Sequence, residues 1–462
     1  MVTMSDQRSP LWSHSVAAAG RLLAAGEVAP IELVEAYLAR IAEVDGRVHS
    51  FIHVAPDRAR VAARKAATEL AAGRRASLLT GIPFAVKDNY DVAGLPATAG
   101  SRLRLDHIAD RTAPLVRDLE AAGAVLMGKL STWEYGTGNG GEYFDLPFPP
   151  ARNPWDLKRF TGGSSTGAGA GVAAGTIAFA LGSDTTGSVR LPAAACGLVG
   201  MILTPGRLSL DGILPNCYSL DVPGPLTWTV EDLAQVLDVL ARPATSFSRT
   251  ITRPVTGWRV GIMRGPLGRF PAPDAEMAGA FEAGTEVLER LGARLFDVPL
   301  PMAASDCFDV TRIIGPSESA AIHESELRER PGDMGFALRD KLMAGSLVRA
   351  VDYIQAQRQR RLMAEAIDAV VQNFDAIVTY GPLHVAPRLG VEPEMTAFTV
   401  ETCLTPFNLS AHPAMVQCTG FSSDGLPLSW QIIANRNDEA AALTLGAAYE
   451  RATPWREKRP NL

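Results

Sequence analysis

Two short loops rich in glycine and hydroxyl side chains, with one lysine in an apolar run upstream of them, are the parts of this sequence equipped for covalent chemistry. The first loop reads Gly162-Gly163-Ser164-Ser165-Thr166-Gly167, and the second Gly182-Ser183-Asp184-Thr185-Thr186-Gly187-Ser188-Val189-Arg190. Glycine reaches backbone geometries closed to other residues, so loops of this kind can bring N–H groups close to a reacting carbonyl. The lysine is Lys87, within Ile82-Pro83-Phe84-Ala85-Val86-Lys87-Asp88-Asn89-Tyr90. Only six of the 44 basic residues are lysines, so a lysine at this point is not an arbitrary choice of cation. Arginine stays protonated in proteins, whereas lysine can lose its proton when desolvated. The combination points to a serine hydrolase whose base is a lysine in place of a histidine.

To act together, these residues must be delivered by neighbouring elements. The small apolar run between the loops, Gly167 to Gly182, reads as a buried helix followed by a strand. It carries small-xxx-small spacing at Gly167, Gly171 and Gly175, but sixteen residues, mostly Gly or Ala, fall short of the ~20 strongly apolar residues of a membrane span. No membrane partner is expected. Residues 82–92 read as the strand that carries Lys87. Around them, periodicity predicts helices at 15–25, 31–44, 56–72, 113–122, 274–291, 351–373 and 438–451. Strands are predicted at 124–127, 294–298, 376–380, 414–418 and 428–434. Strands alternating with helices imply an α/β sheet covered on both faces.

The bulk properties narrow the field. With 462 residues the chain exceeds the usual single-core length, yet no shift of composition separates two cores, and 242–254 is the least patterned stretch. A formal charge of -6 and a pI near 5.8 offer no basic footprint, so nucleic acid is not expected as a partner. Five scattered cysteines, an odd number without short spacings, fit a reducing compartment and make neither a disulfide framework nor a zinc site. The first twelve residues lack the pattern of an export signal, and a cytoplasmic location is expected.

Lys87 and the two loops together resemble the amidase signature family. The resemblance covers Thr80 to Ser101 and Asn153 to Ser209, including Arg190-Leu191-Pro192-Ala193-Ala194-Ala195-Cys196-Gly197-Leu198-Val199-Gly200. It resumes from Pro406 to Arg451, through Phe407-Asn408-Leu409-Ser410-Ala411-His412-Pro413 and Asp424-Gly425-Leu426-Pro427. It implies one large α/β/α domain over 1–462, built on a twisted mixed β-sheet covered by helices, with a family-variable region at about 242–400 shaping the substrate pocket. It also implies a Ser-cisSer-Lys triad: Ser188 as nucleophile, Ser164 as bridging serine after a cis peptide at Gly163, and Lys87 as base. Backbone N–H groups of Thr185, Thr186, Gly187 and Ser188 would stabilise the oxyanion. This chain departs from the pattern at Thr166 and Thr186, where glycine is common, and at Met201-Ile202-Leu203-Thr204-Pro205, which replaces a usual Leu-Lys-Pro-Thr run.

Rival motifs are weaker. Gly163-Ser164-Ser165-Thr166-Gly167 fits a nucleophile elbow centred on Ser165, with His323, His384 and His412 downstream, but the charged Asp156-Leu157-Lys158-Arg159 stretch before it is not a strand. Gly123 to Lys129 nearly spells a phosphate-binding loop, but Leu130 stands where a magnesium ligand is needed. Gly136 to Gly141 matches a dinucleotide fingerprint by letter, yet the prolines that follow forbid the required helix. No metal or organic cofactor is called for. The same fold could also serve as one subunit of an amidotransferase, or as a silent scaffold. Met127, Trp133, Tyr135 and Phe144 are candidate walls of the acyl pocket by resemblance. The expected substrate is a small, uncharged, partly apolar amide, ester or carbamate, and a homo-oligomer is compatible with the sequence.

Overall fold

The computed structural model describes residues 9–138 and 145–462. Eleven strands form one mixed sheet: β1 (Phe51–Val54), β2 (Pro83–Lys87), β3 (Val125–Leu130), β4 (Phe179–Asp184), β5 (Val199–Ile202), β6 (Val222–Thr227), β7 (Arg259–Met263), β8 (Arg294–Asp297), β9 (Ala376–Tyr380), β10 (Ala414–Phe421) and β11 (Pro427–Ile433). Their order is β1-β3-β2-β4-β6-β5-β10-β11-β9-β7-β8. β3, β2 and β4 run parallel, as do β9, β7 and β8, and antiparallel pairs join the two blocks. This is the expected helix-covered mixed sheet.

β2 and β3 are buried at every residue, and β4 at all but Ser183. Strands buried on both faces read as continuous apolar runs, which Phe84-Ala85-Val86 and Phe179-Ala180-Leu181 are. Because β2 and β4 are adjacent and parallel, Lys87 and the loop after Asp184 emerge at the same edge of the sheet. The carboxyl ends of parallel strands are where open α/β sheets place their sites. Residues 82–92 do not remain a strand: Tyr90 N–H donates back to Lys87 O at 3.0 Å, turning the chain immediately after the lysine.

The small-residue run forms the helix Thr166–Ala174 and then β4, all nine helical residues being buried. Glycine weakens a helix by roughly 1 kcal/mol each relative to alanine, so packing must hold this one. A Cβ at Gly167 would strike Ser50 O and Ser131 N, which shows how closely the helix approaches its neighbours. Among the described residues no helix is long and apolar enough to cross a membrane.

β6, Val222-Pro223-Gly224-Pro225-Leu226-Thr227, carries two prolines inside the sheet, where sequence reasoning expects none. Being two residues apart, they lack donors on a single flank. β6 pairs with β5 only through Leu226 and Thr227, so that flank has no full ladder to lose.

Candidate active site

Lys87 and Ser164 meet at the carboxyl edge of β2 and β4, and Ser188 lies on the turn after β4, its carbonyl accepting from Ser165 N–H at 3.2 Å. Lys87 is fully buried, Ser164 is 1 % exposed and Ser188 is 9 % exposed, a gradient that leads from the interior towards solvent. Lys87 Nζ lies 2.7 Å from Ser164 Oγ, and it donates to Ser183 Oγ at 3.0 Å and to Ser183 O at 3.4 Å. Asn89 Nδ2 also donates to Ser183 Oγ, at 3.0 Å, fixing that hydroxyl. Burial lowers the Lys87 pKa to about 7, against the upward pull of Asp221 and Asp184. The peptide between Gly163 and Ser164 is cis. Ser164 O accepts from Trp133 N–H at 3.2 Å, and a Cβ at Gly163 would collide with the Trp133 ring, so Trp133 packs against this peptide.

The turn that carries Ser188 is shaped by a buried carboxylate. Asp184 Oδ1 accepts from Gly187 N–H at 2.7 Å, and Oδ2 accepts from Val189 N–H at 3.0 Å. Arg190 closes an ion pair on the same carboxylate with both side chains fully buried, and it also donates to Gln431 Oε1 at 2.6 Å and Leu404 O at 3.0 Å. Asn408 Nδ2 donates to Asp184 Oδ1 at 2.9 Å. Burial pushes the Asp184 carboxyl up, but Arg190 and these donors bring it below its ordinary value.

This network revises the expected oxyanion donors. The Gly187 N–H is committed to Asp184, so Gly187 contributes its φ of 134° and not a donor. Among the described residues the N–H groups of Thr185, Thr186 and Ser188 have no protein acceptor and are open to a ligand. Thr185 is held by its side chain, with Oγ1 donating to Asp221 Oδ1 at 2.6 Å and accepting from Asn216 Nδ2 at 3.1 Å.

A cavity of about 270 Å³ opens beside this turn, lined by Thr185 and Thr186 on one side and by Thr137, Asn216, Arg312 and Lys341 on others. A larger groove, about 930 Å³, lies along the Pro56–Ala71 helix; neither lining includes Lys87, Ser164 or Ser188, and the 270 Å³ cavity is the one that reaches the turn carrying Ser188, through Thr185 and Thr186.

The proposed pocket walls need correction. Met127 lies within β3, fully buried in the core, its carbonyl accepting from Ala55 N–H, and it does not line the 270 Å³ cavity. Trp133 stacks on Phe160 with ring centroids 5.8 Å apart and lines a separate small cavity of about 30 Å³ with Phe160 and Thr166, and Tyr135 meets His323 edge-on at 4.3 Å; neither lines the 270 Å³ cavity. Phe144 lies outside the described residues. The residues that line the cavity, Thr137, Asn216, Arg312 and Lys341, had no sequence signal, being far apart in the chain. Asp184, Arg190 and Asn408 lie within the matched motifs, and their roles show only in three dimensions.

Ser165, the elbow candidate, is fully buried at the start of the Thr166–Ala174 helix, and its Oγ donates to Ser183 O at 3.2 Å. Among the described residues no strand leads directly into it, the preceding one being β3 at Val125–Leu130. Among the described residues no cluster of His, Cys, Asp or Glu is placed to hold a metal ion.

The profile of the Amidase family matches residues 32–443. The chain belongs to the amidase signature family. It is 35 % identical to a Glutamyl-tRNA(Gln) amidotransferase subunit of Chloroflexus aggregans, across 97 % of this chain and 98 % of that protein. Among solved structures it resembles 6-aminohexanoate cyclic dimer hydrolase complexed with substrate (TM-score 0.86, 28 % identity, 97 % and 99 % of the two chains). It also resembles a bacterial aryl acylamidase of the amidase signature enzymes (TM-score 0.88, 25 % identity, 97 % and 98 %).

These relatives overturn the exclusion of nucleic acid. A protein similar along its whole length belongs to an enzyme named for a tRNA-linked substrate. A formal charge of -6 averages over the entire surface. It cannot report on a local contact or on a partner subunit that carries the nucleic acid.

Proposed function

We propose that this amidase-family chain hydrolyses a carboxamide C–N bond through an acyl-enzyme on Ser188, with Ser164 relaying protons to neutral Lys87. The observation that carries the reading is the environment of Lys87 Nζ. A neutral amine has two N–H donors and one lone pair. Ser183 Oγ and O offer acceptors for the two donors, which directs the lone pair to the Ser164 hydroxyl 2.7 Å away. With a pKa near 7, a large fraction of Lys87 is neutral at physiological pH.

In the first half-reaction Lys87 takes the Ser164 proton, Ser164 takes the Ser188 proton, and Ser188 Oγ bonds to the carbonyl carbon. The open N–H groups of Thr185, Thr186 and Ser188 are suited to the oxyanion, each such donor contributing about 3 kcal/mol in acyl transfer. Return of the proton along the same path protonates the leaving nitrogen as the C–N bond breaks. Water, deprotonated by the same relay, then releases the acid and restores Ser188. Esters and carbamates share this tetrahedral chemistry and belong to the same proposal. The region 242–400 supplies Arg312, Lys341 and Thr399 to the cavity, which supports its role in choosing substrate.

Labelling with a serine-directed phosphonate followed by peptide mapping tests the reading. Label on Ser188, and amide turnover lost in Ser188→Ala, are expected; label on Ser165 or no label at all would refute it. Similarity to one component of an amidotransferase favours a second reading, in which the same acyl-enzyme step releases nitrogen to an acceptor on a partner subunit. Inertness of the purified chain on amides until a second subunit is added would select that reading.

A further inference from the structure

We infer that the cavity beside Ser188 is an anion subsite in which Lys341, supported by Arg312, holds a carboxylate of the substrate, so that the amides this chain cleaves carry a carboxylate. The inference rests on the amide-hydrolase reading and names its substrate class.

Lys341 sits on the helix Phe336–Ser346 and Arg312 on the helix Ala304–Ile322, and both line the cavity whose opposite wall is Thr185 and Thr186. Lys341 is half-buried, yet its partners are neutral: Nζ donates to Asn216 Oδ1 at 2.6 Å and to Thr137 Oγ1 at 3.3 Å. An ammonium has three donors, so one is left unused. Among the described residues neither Lys341 nor Arg312 forms an ion pair, although arginines nearby in the fold, such as Arg269 with Asp309 and Arg349 with Asp352, do. The lining includes one carboxylate, Asp340, against these two cations; Asp340 and Arg312 are both exposed, and Lys341 is the half-buried one. Asp221, the other acid near Lys341, already accepts from Thr185 Oγ1 and from the N–H groups of Asn216 and Cys217.

A cation drawn out of water against neutral acceptors pays a desolvation cost that an arriving carboxylate offsets, and the low dielectric strengthens the pair. The hydroxyls of Thr137, Thr311 and Thr399 in the same lining already donate to Asn216 Oδ1, Phe308 O and Met395 O, so the donors for a carboxylate are those of Lys341 and Arg312. At about 270 Å³ the space suits a short carbon chain ending in a carboxylate. Asn216 connects this subsite to the reacting centre, since it accepts from Lys341 and donates to Thr185 Oγ1 in the nucleophile turn.

The test compares succinamate and glutaramate with their neutral counterparts butyramide and pentanamide. Ammonia release gives kcat and KM, and calorimetry on Ser188→Ala gives binding without turnover. The carboxylated amides should be preferred in kcat/KM by about 30-fold or more, the scale of one buried charge pair. Lys341→Met should collapse that ratio through KM, and Lys341→Arg should retain most of it. Equal kcat/KM for charged and neutral amides, or a ratio unaltered by Lys341→Met, would overturn the subsite while leaving the hydrolase reading intact. Carboxylate binding to Ser188→Ala that depends on Lys341, with no turnover of any amide by the wild-type chain, would keep the subsite and refute the hydrolase. Absence of binding and of preference together would refute the subsite.

Discussion

Lys87 and Lys129 lie on the adjacent parallel strands β2 and β3, both fully buried, and their surroundings differ in one respect. Lys129 Nζ donates to the Asp88 carboxylate at 2.8 Å and to Pro96 O at 2.7 Å, whereas Lys87 meets only hydroxyls and a carbonyl. Burial lowers the pKa of both, and Asp88 draws Lys129 back upward. A carboxylate partner keeps a buried lysine charged and makes it part of the frame. Hydroxyl partners leave it free to discharge, as the proposed base requires. One carboxyl side chain, Asp88, thus distinguishes Lys129 from the lysine proposed as base.

Substitutions should break the two regions in opposite ways. The largest effect is expected for Ser188→Ala, with turnover reduced by about 10⁴-fold or more and circular dichroism unchanged. Next, Lys87→Met should lower kcat/KM by about 10²- to 10⁴-fold while leaving denaturant stability unchanged or raised, because it removes a buried group that is costly to charge. Lys129→Met should do the reverse: it strands Asp88 without its cation and costs about 3–5 kcal/mol in a denaturant melt. Equal losses of stability in both lysine variants would erase the contrast.

Titration sharpens the same comparison. With its folded pKa near 7 and its ordinary value at 10.5, Lys87 binds fewer protons in the folded state between those limits. Its contribution to stability therefore rises with pH across that window. For neutral amides kcat/KM should rise through pH 7 and level off, as the base becomes neutral. For carboxylated amides a second, falling limb is expected near pH 8, where burial sets Lys341 with Cys217, Asp221 and Arg312 around it. A flat profile from pH 6 to 9 on neutral amides would contradict the assignment of the base. The smallest effect is expected for Thr186→Gly, a change of only a few-fold in kcat/KM, since the donor at this position is backbone.

Much of this was legible in the sequence. β9 falls where periodicity places it, at Ala376–Tyr380, and the helix predicted at 351–373 is observed at Ala350–Val371. Lys87 touches the first loop through Ser164, and the first loop touches the second through Ser165 N–H on Ser188 O. β6 was hidden by Pro223 and Pro225, which only a strand with an unpaired flank tolerates. The cavity was hidden for a different reason. Thr137, Asn216, Arg312 and Lys341 come from four separate segments with no mutual spacing, and only the packing of the 304–322 and 336–346 helices brings them together. The family resemblance implied Gly187 among the oxyanion donors, and its hydrogen bond to Asp184 commits that N–H elsewhere.

The central claim, that a neutral buried amine arms Ser188, is tested most directly by the pH dependence of phosphonate labelling, which needs no knowledge of the substrate. The labelling rate of Ser188 should follow a single ionisation near pH 7 in the wild-type chain and become slow and pH-independent in Lys87→Met. Labelling in Lys87→Met at the wild-type rate, or a wild-type rate that ignores pH, would contradict the account.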